Sequence, residues 1–115
     1  MMNSLMISLM NKGFYYKAFF YYSINYYSDI MKRLNIKDYH NNMGTLIDIQ
    51  LPIDYKEYHH PNSINIPYET LLLNHKKFLD KNKKYYIVCN KGTKSRKAVA
   101  ILEFYGYDVT QMSYE

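Results

Sequence analysis

The sequence predicts an α/β fold, a small and mainly parallel sheet with helices on both faces. Short apolar runs rich in β-branched residues, which are typical of buried strands, recur along residues 31–115. Segments with helical spacing separate these runs, and strands that alternate with helices are typical of a parallel sheet covered on both faces. The length of 115 residues corresponds to one domain, and a hydrophobic content of 48% suffices for one core.

Three strands are predicted in the first half of the domain, where short apolar runs are separated by polar residues. They comprise residues 34–36, 45–49 and 63–66. A short helix is expected over residues 37–42, between the first two strands. A second helix is expected to begin at Pro52, because proline is favoured at the first helical position, and it places Tyr55 and Tyr58 on one face. Pro61 and Asn62 mark the turn before the third strand.

Two longer helices and two strands are predicted in the second half of the domain. The expected helices are 68–79 and 95–105, and the expected strands are 85–88 and 108–112. Ser95 is a candidate cap for the second helix, and Gly106 suits the position just after that helix ends. Mostly apolar residues at helical spacing predict the buried face of each helix. They are Leu71, Leu72, His75 and Leu79 in the first helix and Ala98, Ile101, Leu102 and Tyr105 in the second.

Residues 1–30 differ in composition from residues 31–115. They form an aromatic N-terminal extension, whose uncharged run 18–28 is shorter than the ~18–20 residues of a membrane helix. We therefore expect no integral membrane span, and the absence of a basic start and of a cleavage site argues against a signal peptide. Three interpretations stay open: a helix packed on the domain or on a membrane surface, a weak anchor, or upstream sequence joined to a protein that begins at Met31. The last is favoured.

Charge and cysteine content exclude several classes of site. The net charge is +5, but the Lys and Arg residues are scattered, which favours a solvated basic surface and gives no support for nucleic-acid binding. The single cysteine excludes an internal disulfide and a Cys-based structural zinc site. A lone thiol suits a reducing compartment, so a cytoplasmic location is expected.

The segment 89–96 carries the strongest chemical signal. Its cysteine ends a short apolar run, and a glycine-containing basic loop and then a helical segment follow. Loop N–H groups and a helix N-terminus both favour negative charge, as do the side chains of Lys91, Lys94 and Arg96. The pattern predicts a reactive thiolate at the carboxyl end of a buried strand.

Four motifs in order resemble the single-domain rhodanese-like sulfurtransferase family. Residues 46–49, Leu-Ile-Asp-Ile, are similar to its Asp-containing first core strand, and residues 52–55, Pro-Ile-Asp-Tyr, to its proline-acidic-tyrosine helix start. Residues 59–67, His-His-Pro-Asn-Ser-Ile-Asn-Ile-Pro, resemble its His-x-Pro segment, and residues 87–95 resemble its strand and active-site loop. Residues 106–109, Gly-Tyr-Asp-Val, then match the turn into the last strand. The order and spacing of the motifs make the resemblance specific.

The resemblance implies a sulfur relay with Cys89 as the catalytic nucleophile. Its thiolate attacks the sulfane sulfur of thiosulfate or a persulfide, and a thiol or cyanide then discharges the Cys89 persulfide. The implied substrate-binding residues, whose N–H groups would hold the anionic sulfur, are Asn90, Lys91, Gly92, Thr93 and Lys94. Asp48 is implied as a supporting residue beside this loop. The expected partners are a small sulfur donor or a protein persulfide donor and a thiol acceptor, and no cofactor is expected.

A metal site is not expected at the two adjacent histidines. Side chains of consecutive residues point apart, and neither a carboxylate nor a third histidine lies at ligand spacing from His59 and His60. His59 is expected instead to make a structural hydrogen bond at the turn.

The sequence also departs from the family pattern. Gln50 stands where the family often has arginine, and Tyr58 and Asn62 stand where it usually has glycines. The chain contains no Trp and stops at Glu115, before the family's Gly-Gly turn and Trp-bearing helix, so a fold without the C-terminal helix is expected.

Two alternatives to the sulfurtransferase stay open. One is a non-catalytic rhodanese-like interaction or sensing module. The other is a phosphatase or arsenate reductase, which places arginine six positions after the cysteine to hold the oxyanion. This class is less favoured, because Ser95 occupies that position and Arg96 lies one residue further.

Overall fold

The structure is a computed structural model that describes residues 32–114, so the extension 1–30 lies outside the described residues. Five strands form a single sheet with the order β1-β5-β4-β2-β3, and every pairing is parallel. The strands are β1 (Arg33–Asn35), β2 (Thr45–Asp48), β3 (Ser63–Asn65), β4 (Lys84–Val88) and β5 (Asp108–Ser113). The predicted parallel α/β sheet is confirmed.

Four α-helices connect the later strands. They are α1 (Pro52–Glu57), α2 (Tyr68–Leu73), α3 (His75–Phe78) and α4 (Thr93–Phe104). Helix α1 begins at Pro52 as predicted, because the fixed φ of proline suits the first helical position and its missing N–H has no partner to lose there. No helix of the described part is both long and apolar enough to cross a membrane.

The two faces of the sheet are covered differently. Helices α2 and α4 pack one face, where a core cluster includes Ile47, Ile87, Leu71, Leu102 and Val109. The other face is smaller. Its cluster joins alternate strand residues to a tyrosine and to side chains from the β1–β2 connection, and it comprises Tyr39, Leu46, Tyr86, Val88 and Met112 with Ile36 and Met43 packed against them. Alternation along β2 and β4 therefore supplies both cores, as expected for a sheet buried on both sides.

The helix predicted over residues 37–42 is wrong. Two 3-10 helices, Ile36–Asp38 and Asn41–Met43, flank an extended Tyr39 and His40. The extended backbone leaves Tyr39 in the smaller core, where its hydroxyl donates to the carbonyl of Gly44 at 2.7 Å. The backbone is therefore extended at Tyr39, because this conformation buries the tyrosine side chain in the smaller core, and no continuous helix forms.

The single helix predicted over residues 68–79 is also wrong, because it breaks at Asn74. The backbone of Asn74 leaves the helical region (φ −128°, ψ 31°), and its side-chain amide donates to the carbonyl of Thr70 at 2.9 Å. Asn commonly competes with helical bonding in this way. The chain continues as α3, after which Leu79 turns into the core.

Helix α4 begins two residues earlier than predicted, and its buried face differs. Gly92 takes a left-handed conformation (φ 78°) immediately before it, and Ser95 lies inside its first turn instead of capping it. Val99 and Ala100 are buried, whereas Tyr105 of the predicted stripe is 38% exposed. At the other end Gly106 has φ 98° and closes the helix as predicted.

Candidate active site

Cys89 lies at the carboxyl edge of the sheet, immediately after the central strand β4. Strands β2 and β4 are in register there, with Asp48 opposite Val88, and the N–H of Ile49 donates to the carbonyl of Val88 at 3.1 Å. The last residues of these parallel strands therefore bring Asp48 and Cys89 to the same edge. This edge is where open α/β sheets carry their binding sites.

The thiol is held at the N-terminus of α4. The Sγ atom of Cys89 accepts the backbone N–H of Ser95 at 3.2 Å, and the residue is only 8% exposed. An N–H donor and the positive end of a helix both stabilise sulfur in its anionic form more than as a thiol. The predicted arrangement of a sulfur at the start of a helix is thus present, but the donor is Ser95, one residue beyond the loop residues predicted to bind substrate.

Hydrogen bonds to the carbonyl group of Gly92 hold the loop between Cys89 and α4 in place. The oxygen of Gly92 accepts the Ser95 hydroxyl at 3.0 Å and the side-chain amide of Gln111 at 2.9 Å. The same Gln111 amide also donates to the Ser95 hydroxyl, at 3.1 Å. Gln111 is 5% exposed and Ser95 is fully buried, so strand β5 fixes the loop from within the protein.

Two cavities open beside Cys89. The β5-side cavity, of about 350 Å³, lies between the loop, the start of β1 and the carboxyl end of β5. The β2-side cavity, of about 770 Å³, lies between the loop and the starts of α1 and α2. Cys89, Asn90, Lys91 and Thr93 line both. The loop is therefore the wall between two cavities.

The other two loop residues that were predicted to bind substrate line different cavities. Gly92 lines only the β5-side cavity, and Lys94 lines only the β2-side cavity, where its ammonium group lies 5.6 Å from the centre of the Tyr68 ring. The structure thus brings the predicted substrate-binding residues together around Cys89, although on two sides.

Asp48 is fully buried and braces the turn that follows β2. Its carboxylate accepts the backbone N–H of Gln50 at 2.9 Å and the Gln50 side-chain amide at 2.7 Å. The side-chain amide of Asn65 donates to the carbonyls of both Asp48 and Gln50. Gln50, which stands where the family often has arginine, is therefore the hydrogen-bond partner of Asp48. Through this turn Asp48 supports the wall of the β2-side cavity.

Burial raises the pKa of the Asp48 carboxyl, although the two hydrogen bonds from Gln50 and the nearby His59 act in the opposite direction. A carboxyl group with a raised pKa in the folded state is harder to ionise there than in the unfolded chain. The contribution of this group to the free energy of unfolding is therefore most favourable below the pKa of the group in the unfolded chain. It is lost as the pH rises through the pKa in the folded protein.

This effect predicts a pH-dependent difference between the parent and Asp48→Asn. The free energy of unfolding of the parent, minus that of the variant, should fall as the pH rises through the window between the ordinary Asp pKa and the raised one. Urea unfolding at several pH values measures it. Asp54→Asn, which removes an exposed carboxylate from α1, is the matched control. A difference that rises with pH in this window would contradict the assignment.

His59 makes a structural contact, as predicted. Its Nδ1 atom lies 2.5 Å from the carbonyl oxygen of Tyr55, and its ring stacks on the Tyr55 ring at 3.7 Å between centroids. Among the described residues no group of three or more His, Cys, Asp or Glu side chains is arranged to hold a metal ion.

Sequence analysis missed the part of the site that β1 and β5 supply. Arg33, Gln111 and Tyr114 line the β5-side cavity. Burial raises the pKa of the Tyr114 phenol, and negative charge on Asp48, Tyr58 and Cys89 adds to the effect. No short motif pointed to this side, because these residues reach the site through the position of β5 beside β4 in the sheet.

Comparison with known proteins agrees with this architecture. The solved structure of a rhodanese-related protein from Thermoplasma volcanium is 30% identical, with a TM-score of 0.63 over 71% of this chain and 83% of that chain. A rhodanese-like domain protein from Staphylococcus aureus is 29% identical, with a TM-score of 0.59 over 70% of this chain and 82% of that chain. Bacillus anthracis CoADR-RHD is 28% identical, with a TM-score of 0.65 over 73% of this chain but 15% of that chain.

No curated protein matches the chain. The sequence pattern of the Rhodanese-like domain, however, matches residues 27–114, which is most of the 115 residues. The matched segment includes all five strands and the loop that carries Cys89. The chain belongs to the rhodanese-like domain family.

Proposed function

We propose that the protein is a sulfurtransferase that carries sulfane sulfur on Cys89. The observation that carries this proposal is the contact between the Ser95 N–H and the Cys89 sulfur at the start of α4, at a point where two cavities meet. A thiol kept only for packing needs neither a helix N-terminus nor access to a cavity. Lys91, Lys94 and Arg96 add positive charge around the same sulfur, which favours a nucleophilic thiolate and an anionic substrate.

The first half-reaction loads the cysteine. The Cys89 thiolate attacks the outer sulfur of thiosulfate, an S–S bond forms to Cys89, and the S–S bond of thiosulfate breaks. Sulfite leaves with the electron pair of that bond. A persulfide donor reacts in the same way and releases its thiolate.

The second half-reaction unloads it. An acceptor thiolate, or cyanide, attacks the outer sulfur of the Cys89 persulfide, and Cys89 leaves as a thiolate. The transfer needs no external oxidant or reductant, because the sulfane sulfur is only exchanged between the donor, Cys89 and the acceptor. This division of one transfer into two covalent steps is ordinary nucleophilic catalysis. The reacting partners are a small sulfur donor or a protein persulfide and a thiol acceptor, and they suit a reducing cytoplasm.

The site does not favour the oxyanion chemistry of phosphatases. Ser95, six positions after Cys89, is fully buried, and its hydroxyl is engaged with the Gly92 carbonyl. A guanidinium group is needed at that position to bind two oxygens of a phosphate. Thiosulfate is attacked at its outer sulfur and not at the atom that bears the oxygens, so its reaction needs no guanidinium group at this position.

Turnover of thiosulfate and cyanide to thiocyanate and sulfite tests the proposal. The protein should show saturable transfer with both substrates, with parallel lines in double-reciprocal plots because a covalent intermediate separates the two halves. A folded chain that transfers no sulfur to cyanide or to any small thiol would support the non-catalytic interaction module instead.

A further inference from the structure

The position of Cys89, directly after the central strand β4, explains why two cavities lie beside its sulfur. Strand β4 is central, with β5 on one side and β2 on the other, so the loop that leaves its carboxyl end divides the edge of the sheet. The start of β1 and the carboxyl end of β5 line one cavity, and the connections that follow β2 and β3 line the other. Each cavity reaches the same sulfur from a different side.

The β5-side cavity suits a small anion. Its lining includes the cationic side chains of Arg33, Lys91 and Arg96 and no aspartate or glutamate. Its volume, about 350 Å³, is less than half that of the other cavity. Concentrated positive charge in a small space favours a compact, multiply charged ligand over a larger neutral one.

The β2-side cavity has a different character. One wall is apolar, formed by Ile49, Leu51, Pro52, Pro67 and Tyr68. Three lysines, Lys91, Lys94 and Lys97, and two acidic residues, Asp54 and Glu69, also line it. An apolar wall with a net positive charge suits an organic molecule that carries a carbon skeleton and an anionic group.

We propose that the sulfur donor and the sulfur acceptor use different cavities. A small inorganic anion such as thiosulfate enters by the β5-side cavity, and an anionic organic thiol enters by the β2-side cavity. The inference rests on the proposed sulfur transfer. Since Cys89 lines both cavities, the outer sulfur delivered from one side can be attacked from the other. Sulfite leaves by the side from which thiosulfate came.

Two neighbouring residues of α4 provide a matched test. Arg96 lines only the β5-side cavity and Lys97 only the β2-side cavity. Both are exposed, and both lie in the same turn of the helix. Arg96→Gln and Lys97→Gln each remove one positive charge, so the two variants change the total charge of the protein equally but affect different cavities.

The measured quantity is kcat/KM for each substrate, because in a reaction divided by a covalent intermediate it reports only the half-reaction of that substrate. Thiosulfate is the donor and β-mercaptopropionate the acceptor, with β-mercaptoethanol as the neutral acceptor for comparison. Arg96→Gln should lower kcat/KM for thiosulfate about threefold to tenfold, the size expected for one lost charge near a dianion. Any effect on kcat/KM for β-mercaptopropionate should be smaller and equal to the effect on β-mercaptoethanol, because a charge lost beside the sulfur acts on both acceptors alike.

Lys97→Gln should give the opposite pattern. It should lower kcat/KM for β-mercaptopropionate about twofold to fivefold, and leave thiosulfate and β-mercaptoethanol unchanged. In the unmodified protein, excess β-mercaptopropionate should not inhibit competitively with thiosulfate, because it occupies the other cavity.

Equal losses for donor and acceptor in either variant, or competitive inhibition by excess acceptor, would show a shared entrance and overturn the inference while leaving the sulfur transfer intact. Failure of the unmodified protein to form a Cys89 persulfide would instead overturn the proposed function on which the inference rests.

Discussion

Cys89→Ser is expected to abolish sulfur transfer, with a loss of at least about a thousandfold in thiocyanate formation. A serine hydroxyl is not ionised at neutral pH and forms no stable bond to a sulfane sulfur, so neither half-reaction can start. The chain has no second thiol to take over, since Cys89 is its only cysteine. Every step of the proposed chemistry passes through this one atom.

The same substitution should leave the fold intact. Serine differs from cysteine by one atom, and its oxygen can still accept the Ser95 N–H that now reaches the sulfur. Urea unfolding of both proteins provides the control, and the free energies should agree within about 1 kcal/mol. Activity equal to that of the parent in a folded serine variant would remove Cys89 from the mechanism.

Gly44→Ala is expected to give a large loss of stability, about 2–4 kcal/mol in the free energy of unfolding. A Cβ atom at this position would lie 2.5 Å from the carbonyl oxygen of Lys84 and 3.0 Å from the Tyr86 ring. Gly44 precedes β2 directly, so backbone approaches backbone here at the start of the central strand pair β2–β4. The clash can be relieved only by moving main chain.

Gly106→Ala is the matched control for this prediction. Gly106 also has a positive φ, 98°, but the nearest atom to an added Cβ is the mobile Lys81 ammonium at 3.6 Å. Its cost should therefore be the left-handed backbone alone, about 1–2 kcal/mol. Denaturant unfolding of the two variants compares them, and a loss in Gly44→Ala no greater than that in Gly106→Ala would show that the contact with Lys84 is absent in solution.

The elements that sequence analysis located correctly are those set by local patterns. Short apolar runs marked the positions of all five strands, Pro52 marked the start of α1, and Gly106 marked the end of α4. Cys89 was placed correctly at the end of a strand and the start of a helix for the same reason. Parallel strands then bring Asp48 to the same edge without further information.

The errors arose where tertiary packing or a side chain overrides the local pattern. The break at Asn74 depends on its side-chain bond to Thr70, and the extended Tyr39 depends on a core that closes only when the sheet has formed. Gln111 and Tyr114 reach the site because β5 lies beside β4, which is a fact of strand order that no short motif records. The turn near Asn62 shows the reverse case. Among the described residues only glycines have positive φ, so this turn does not need the glycine usual in the family.

The central claim is that Cys89 carries sulfur as a persulfide. Intact-mass spectrometry of the protein after incubation with thiosulfate and removal of excess reagent tests it most directly. The account predicts a gain of one sulfur atom, located on the peptide that contains Cys89, reversed by an added thiol and absent from Cys89→Ser. An unchanged mass in a folded protein, under conditions in which the thiol still reacts with iodoacetamide, would contradict it.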